Sequence, residues 1–365
     1  MSVTITTAVR GGSPRDPADH PYTSDFAGLI ARVREAGLLG RRRGYYLGVF
    51  VVLIVLMAMT AAGMVWIGAS WWQVALAPVL AVIFTQFAFL GHEMAHKQVF
   101  ERGSTNDRLG RITANLVVGI SYSWWMNKHS RHHANPNTVD KDPDIDSDVV
   151  VFQDDQARAA RGIQRWIAQR QGWLFFPLLT LEGLNLHVQG FKRAFSAGRF
   201  EGRGSEITML LLRHGALFAF VFLVMPWSIA LVFLATQLAV FGVYMGASFA
   251  PNHKGMPIIA RGQKVDFLRR QVITSRNIRG GTVMDLFMGG LNYQVEHHLF
   301  PNMPRPSLAK ASAIVKDYCR EHAIAYTETT LWRSYGIVVA YLNRVGLAAR
   351  DPFDCPRGQL AGQAA

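Results

Sequence analysis

Cysteine is nearly absent. The 365 residues contain two, Cys319 and Cys355, too few for a cysteine-ligated zinc site, an iron–sulfur cluster or a disulfide framework. Charge is sparse too, at 17% of residues against 50% hydrophobic, which excludes a disordered chain. Acidic residues are in the minority, 25 against 38 Lys+Arg, for a formal charge of +13. Residues 1–23 lack the apolar segment of a signal peptide and read as a polar, disordered tail. There is no fixed-period repeat and no Gly-rich phosphate loop. Any bound metal must be held by something other than cysteine, and histidine is plentiful, with 12.

Uncharged apolar length is what the chain has instead. Residues 45–68 run without a charge and can span roughly 30 Å of hydrocarbon at about 1.5 Å per residue. After a short uncharged connection, residues 72–90 return across the bilayer. A second pair, 209–224 and 228–249, is joined by Met225, Pro226 and Trp227, with Arg213 and His214 placed in the first turns where an arginine can snorkel. The fold class expected is therefore all-α integral membrane, four transmembrane helices in two hairpins. Arg32, Arg34, Arg41, Arg42 and Arg43 precede the first span, and basic segments follow the second and fourth. The positive-inside rule puts both termini, and a helical cap made of 91–208 and 250–350, in the cytoplasm. One membrane domain over 24–350 and a flexible tail at 351–365 complete the organisation. The shorter apolar stretches 112–126 and 173–188 read as interfacial or buried helices. With so much of the chain suited to lipid, the basic charge points to a membrane surface or an acidic partner, and no nucleic acid is expected.

The histidines are grouped. His92 and His96 share one helix face at i,i+4, where the second span leaves the bilayer. His129, His132 and His133 form H-x-x-H-H, His297 and His298 are adjacent, and His253 follows the end of the fourth span. Both helix ends reach the same side, so these eight imidazoles can meet in one layer. Eight neutral nitrogen donors are too many for one ion and suit two metals with about four each and an open position. Redox-active iron with dioxygen is the natural use near lipid. The carboxylate-rich diiron bundles match only once, at Glu93 and His96.

His-Glu-Met-Ala-His at 92–96, His-x-x-His-His at 129–133 and Gln-x-x-His-His at 294–298, set around four spans, resemble the three histidine boxes of the membrane-bound fatty acid desaturase family over residues 45–306. The resemblance implies an acyl-CoA or acyl-lipid desaturase in which two irons use O2 and two electrons to remove two hydrogens from a saturated carbon pair. Its ligands would be His92, His96, His129, His132, His133, His253, His297 and His298, with Asn252 supporting a bound water or the surrounding hydrogen bonds. Gln294 stands where many members have histidine, as in the front-end and linoleoyl-CoA type, and suits a hydrogen-bonding role. His20-Pro21 continues Tyr22-Thr23 without the Gly-Gly of a cytochrome b5 haem motif, so electrons are expected from a separate donor such as a ferredoxin, a rubredoxin or a cytochrome with its reductase. Arg261, Lys264, Arg269, Arg270, Arg276 and Arg279 could dock that donor, hold a CoA phosphate or rest on anionic lipid. The Arg-rich composition hints at a bacterial source, and then a plasma-membrane location.

His187 is read mainly as a structural histidine, with a ninth ligand or a supporting contact as the alternative. The acidic string Asp140, Asp142, Asp144, Asp146, Asp148 departs from a calcium loop at Ser147 and Gln153. It is read equally as support for iron-bound imidazoles, Asp140 included, or as a solvated loop. Three rivals remain. H-E-x-x-H is also a zinc-protease pattern in which Glu93 would activate water, but it leaves five box histidines unused. A hydroxylase or carotenoid-modifying relative would share the boxes, and a metal carrier would line its spans with histidine.

Overall fold

The computed structural model describes residues 25–146, 149–198 and 200–350. The tails expected at 1–23 and 351–365 lie outside them. In chain order the helices are α1 (Asp25–Glu35), α2 (Arg43–Ile67), α3 (Gln73–Ala95), α4 (Gly103–Arg111), a π-helix (Ile112–Val118), α5 (Tyr122–Ala134), α6 (Asp154–Ala159), α7 (Gly162–Ala168), α8 (Gln171–Leu179), α9 (Glu182–Phe195), α10 (Arg203–Val224), α11 (Trp227–His253), α12 (Phe267–Ile273), α13 (Gly281–Phe287), α14 (Gln294–Leu299), α15 (Arg305–Glu321) and α16 (Leu331–Leu347). Two short strands, β1 (Asn277–Arg279) and β2 (Glu328–Thr330), pair in parallel.

Among the described residues four helices, α2, α3, α10 and α11, are long and apolar enough to cross a membrane. They are not equivalent. The apolar windows of α3 and α11 are 56% and 50% buried, against 17% and 11% for α2 and α10, so α3 and α11 form the inner pair and pack on each other. Phe84, Phe87, Leu90, Phe233 and Phe241 fill one continuous core around them. A second core of Leu29, Val33, Leu268, Val295, Leu299 and Val315 joins α1, α12, α14 and α15 outside the apolar bundle.

The apolar runs are shorter than the helices. Hydropathy falls after Leu90 and Phe249, yet α3 runs to Ala95 and α11 to His253. Polarity does not end a helix when its polar side chains find partners. Glu93 meets Arg305, and Arg276 donates to the carbonyl of Pro251. His253 therefore closes α11 rather than following it.

Three expectations are corrected. The stretch 112–126 is a π-helix, a left-handed Gly119 with φ 93° and then α5, because the polar box-two helix needs its own start. Ser121 supplies that start, its hydroxyl accepting from Trp124 N at 3.1 Å. The stretch 173–188 is two helices, α8 and α9, and α9 presses onto α11 at two glycines. A Cβ on Gly183 would lie 2.2 Å from the Leu238 carbonyl oxygen, and one on Gly242 2.3 Å from Gly183 N. Finally, α10 starts earlier than its apolar run, at Arg203, so Arg213 falls inside the helix and does not snorkel. Its Nε donates to Val117 O at 2.5 Å, and the guanidinium lies over Phe84.

Candidate metal centre

Four elements deliver the box histidines to one place. The last turn of α3 carries His92, and His96 caps it. His129, His132 and His133 lie on α5, whose first turn is anchored by a buried carboxylate: Glu206 accepts from the hydroxyls of Ser121 at 2.5 Å and Ser123 at 2.8 Å. Asn115 adds an acceptor for Tyr122 N at 2.8 Å. His253 is the last residue of α11, and α14, buried throughout, brings His297 and His298.

The eight imidazoles divide into two groups whose ligand atoms lie within 4.8 Å of one another: His92, His96, His129, His133 and His297 in one, His132, His253 and His298 in the other. Within the first group, His96 and His129 face each other Nε2 to Nε2 at 2.8 Å, and His92 and His129 at 3.2 Å. Buried His133 Nε2 and His297 Nε2 have no hydrogen-bond partner. The groups touch where the His133 and His298 rings stack, centroids 4.1 Å apart and 6° from parallel.

In the smaller group the tautomers follow from the partners. His253 Nδ1 lies 2.9 Å from Thr274 O, which can only accept. His132 Nδ1 lies 3.0 Å from both carboxylate oxygens of Asp142. His298 Nδ1 lies 2.9 Å from Gln271 Oε1, and that amide is oriented by its own NH2, which donates to His133 O at 2.9 Å. Each Nδ1 therefore carries the hydrogen, and each Nε2 keeps a lone pair. Those three lone pairs converge, with His253 Nε2 3.3 Å from His132 Nε2 and 3.1 Å from His298 Nε2. They cannot be satisfied by one another; the Gln294 NH2 at 2.9 Å serves His253 Nε2 alone, and a cation at their centre would satisfy all three. The donor set, all neutral imidazole, suits a borderline transition metal.

The electrostatics agree. Burial holds His129, His133, His297 and His298 well below the ordinary histidine range, reinforced by neighbouring imidazoles. Burial, with Lys97, pushes His96 down to about 3. His132 is the exception. Burial pulls it down too, but Asp144 and Asp142 carry it above its ordinary value. Asp142 is buried and further held by Asn137 N at 2.7 Å and Asp144 N at 2.9 Å.

The remaining site candidates fall into place around this centre. Gln294 Nε2 sits 2.9 Å from His253 Nε2 while its Oε1 accepts from Asn252 Nδ2 at 3.1 Å, and Asn252 Oδ1 is buried with no partner. Glu93 makes a two-pronged buried ion pair with Arg305, at 2.6 and 2.7 Å. That carboxylate is committed to a guanidinium, which argues against the water-activating role of a zinc protease. The acidic string divides: Asp142 at 3.0 Å and Asp144 at 3.5 Å approach His132 Nδ1, whereas Asp140 supports no imidazole and pairs with exposed Arg261 at 2.5 Å. Asp148 lies outside the described residues. His187 belongs to neither group. Its Nδ1 donates to Gly119 O at 2.8 Å and its ring packs on His214.

The basic cluster expected to dock a partner is partly spent inside the fold. Arg276 is 2% exposed and donates to Pro251 O and Lys254 O, closing the end of α11 beside His253. Arg269 pairs with Asp25 and Asp266. Lys264 and Arg279 stay exposed. Sequence reasoning missed Gln271, Thr274 and Arg276 as supports because nothing local marks them. It also missed Trp125, which stacks on His129 at 4.3 Å, although a tryptophan one helical turn before a box histidine is a readable signal.

A family model described as fatty acid desaturase matches residues 69–330. Among curated proteins, the chain is 25% identical to Delta(8)-fatty-acid desaturase 2 of Arabidopsis thaliana over 92% of this chain and 78% of the relative. It is 29% identical to the acyl-lipid (9-3)-desaturase of Physcomitrium patens over 90% of this chain and 63% of that protein. A Delta(8)-fatty-acid desaturase of Euglena gracilis is 30% identical over 73% of this chain and 66% of its own length.

Proposed function

The chain belongs to the fatty acid desaturase family, and from that premise we propose that two irons are held by His92, His96, His129, His133 and His297 on one side and by His132, His253 and His298 on the other. Membership makes it a membrane oxidoreductase that desaturates fatty acyl chains and draws electrons from a donor. The observation that carries the metal reading is the set of converging Nε2 atoms, three left with a lone pair by Thr274, Asp142 and Gln271 and two buried with no hydrogen-bond partner. When bound, such a metal pair supplies reduction of O2 to two waters, using two electrons and two protons from outside and two hydrogens from adjacent carbons of the chain.

The protein's own residues orient and exclude. Asp142, Thr274 and Gln271 keep the imidazoles turned inward, and Gln294 and Asn252 close the three-histidine side with amides. The apolar walls of α3 and α11 keep water from the reacting carbons. In our reading the four apolar helices form two hairpins, with the termini and a cap of 91–208 and 250–350 in the cytoplasm, within one domain over 24–350. Basic residues flanking the apolar helices support that orientation. The electron donor is a separate ferredoxin, rubredoxin or cytochrome b5 type protein. The substrate is carried on CoA or on lipid, the latter favoured by the name of the Physcomitrium relative.

The test is expression in a host of known fatty acid profile, with mass spectrometry of its lipids and elemental analysis of purified protein. New unsaturated chains with unchanged oxygen content and about two irons per chain are expected. His129→Ala should lose both the product and iron. Hydroxylated products would replace the reading with an oxygenase, and a single zinc would end it.

A further inference from the structure

The fold gathers three guanidiniums at one end of an exposed apolar stripe. Helix α9 starts halfway along the apolar run of α11, where Gly183 lies against the Leu238 carbonyl and the His187 ring stacks on Phe241 with centroids 6.0 Å apart. It ends where α10 begins, since Arg203 at the start of α10 donates through Nε to Ala194 O at 2.9 Å. With α11 spanning a bilayer, α9 climbs from mid-depth to the headgroup level on the histidine side. Its outward face carries Leu184, Val188 and Phe195, all exposed, at the spacing of one helix face. Leu184 and Phe195 stand about 16 Å apart along the axis at about 1.5 Å per residue, close to half of a hydrocarbon layer roughly 30 Å thick. The stripe is one leaflet long.

The arginines surround the connection from α9 to α10. Arg193 lies over the Phe200 ring at 4.9 Å, and its Nε is buried with no hydrogen-bond partner. Arg203 makes a second bond, to Gly198 O at 3.1 Å, and Arg111, from the end of α4, reaches Glu201 O at 3.3 Å. All three are half-buried, and among the described residues none pairs with a carboxylate. The acids nearby are engaged elsewhere: Glu206 accepts from Ser121 and Ser123, and Asp107 meets Lys97 and Tyr122. Glu201 is exposed and meets Arg111 through its backbone oxygen. Holding guanidiniums partly out of water without a counter-ion costs free energy, and an anion among them recovers it.

We propose that the α9–α10 pair binds an acidic glycerophospholipid of that leaflet, its phosphate held by Arg111, Arg193 and Arg203 and one acyl chain lying along Leu184, Val188 and Phe195. Guanidinium matches phosphate both in charge and in its planar fork of donors. A phosphocholine headgroup would bring a quaternary ammonium to the same three cations. Lipid is the occupant because stripe and arginines are continuous and of matching length, whereas a free anion would use the arginines alone. The site shares no residue with the metal centre and is independent of the reaction carried out there.

The test uses the full chain purified in a neutral detergent. Unfolding temperature is followed as dioleoylphosphatidylglycerol, dioleoylphosphatidylcholine or inorganic phosphate is added, and native mass spectrometry counts the lipids retained. Phosphatidylglycerol should raise the unfolding temperature and remain bound, and the other two should do neither. Arg193→Gln and Arg111→Gln should each weaken the apparent affinity for it about tenfold or more. Lys310→Gln, which removes the same charge from an exposed position on α15, should leave that affinity unchanged. Either arginine variant decides the matter if the other fails to fold. Three results overturn the proposal. Equal weakening in all three variants would show diffuse attraction to a basic protein, and phosphatidylcholine binding as tightly would remove the selection by charge. Stabilisation by inorganic phosphate alone, lost in Arg193→Gln, would make this an anion site without a lipid.

Discussion

Asp142 and Asp140 are two residues apart and chemically identical, yet only one touches a histidine of the candidate metal centre. Asp142 is buried against His132 Nδ1, where a carboxylate both sets the tautomer and makes the imidazole a stronger donor. Asp142→Asn should weaken metal retention by about 10- to 100-fold in a chelator challenge, whereas Asp140→Asn, at an exposed ion pair, should leave the chelation curve where it was. Glu93 makes a second prediction at this scale. Its pair with Arg305 is 5% and 3% exposed at the side chains, so Glu93→Leu strands a buried guanidinium and should cost about 3–5 kcal/mol. Thermal unfolding in detergent checks it. The double variant Glu93→Leu, Arg305→Met should recover most of the loss if the single variant fails through the unpaired charge. The sequence showed Glu93 as one residue of a box but offered nothing to connect it with Arg305, 212 positions away.

Among the elements, α5 and α11 make the argument most directly. The register of three box histidines depends on where α5 starts, and its start is set by Ser121 with Glu206 behind it. Ser121→Ala should cost about 1 kcal/mol, and Glu206→Leu more, since it frees three donors at once. Both should lower iron occupancy along with stability, measured by metal analysis after gentle warming. At the other side, Arg276 satisfies two carbonyls at the end of α11. Arg276→Met leaves the Lys254 carbonyl without its donor while Pro251 O keeps the Ser334 hydroxyl at 2.7 Å, and should cost about 1–3 kcal/mol, loosening His253 first. The apolar runs announced α3 and α11 because twenty uncharged residues in lipid have one low-energy form. The π-helix gave no such notice. Its residues, Ile-Thr-Ala-Asn-Leu-Val-Val, are compatible with an ordinary helix, and the widened turn is selected by packing between α3 and α10.

For the molecule as a whole, buried neutral histidines give stability a pH dependence. His187 is pushed down to about 4 from 6.5, by burial first and then by His214 and Arg213, against the Gly119 carbonyl that raises it. Between those values the unfolded chain takes up a proton that the folded one refuses. Stability contributed by neutral His187 is therefore present above about pH 6.5 and is lost as pH falls toward 4. Unfolding temperature between pH 7 and pH 5 should drop less for His187→Asn than for the unaltered protein, with both iron-free. Equal slopes would show that this histidine does not carry the effect.

Helix-forming apolar length and the spacing of the boxes are local properties, set by backbone geometry and by the cost of charge in lipid, so they could be read from the chain: four helices, eight imidazoles, one membrane enzyme family. The division of those imidazoles into five and three, the acceptor behind each Nδ1 and the arginines gathered at the start of α10 depend on contacts between distant segments. Gln271 and His133 meet across 138 residues, and no local preference of either encodes that meeting. Packing decided them, because a buried hydrogen bond is made only where the fold brings its two halves together.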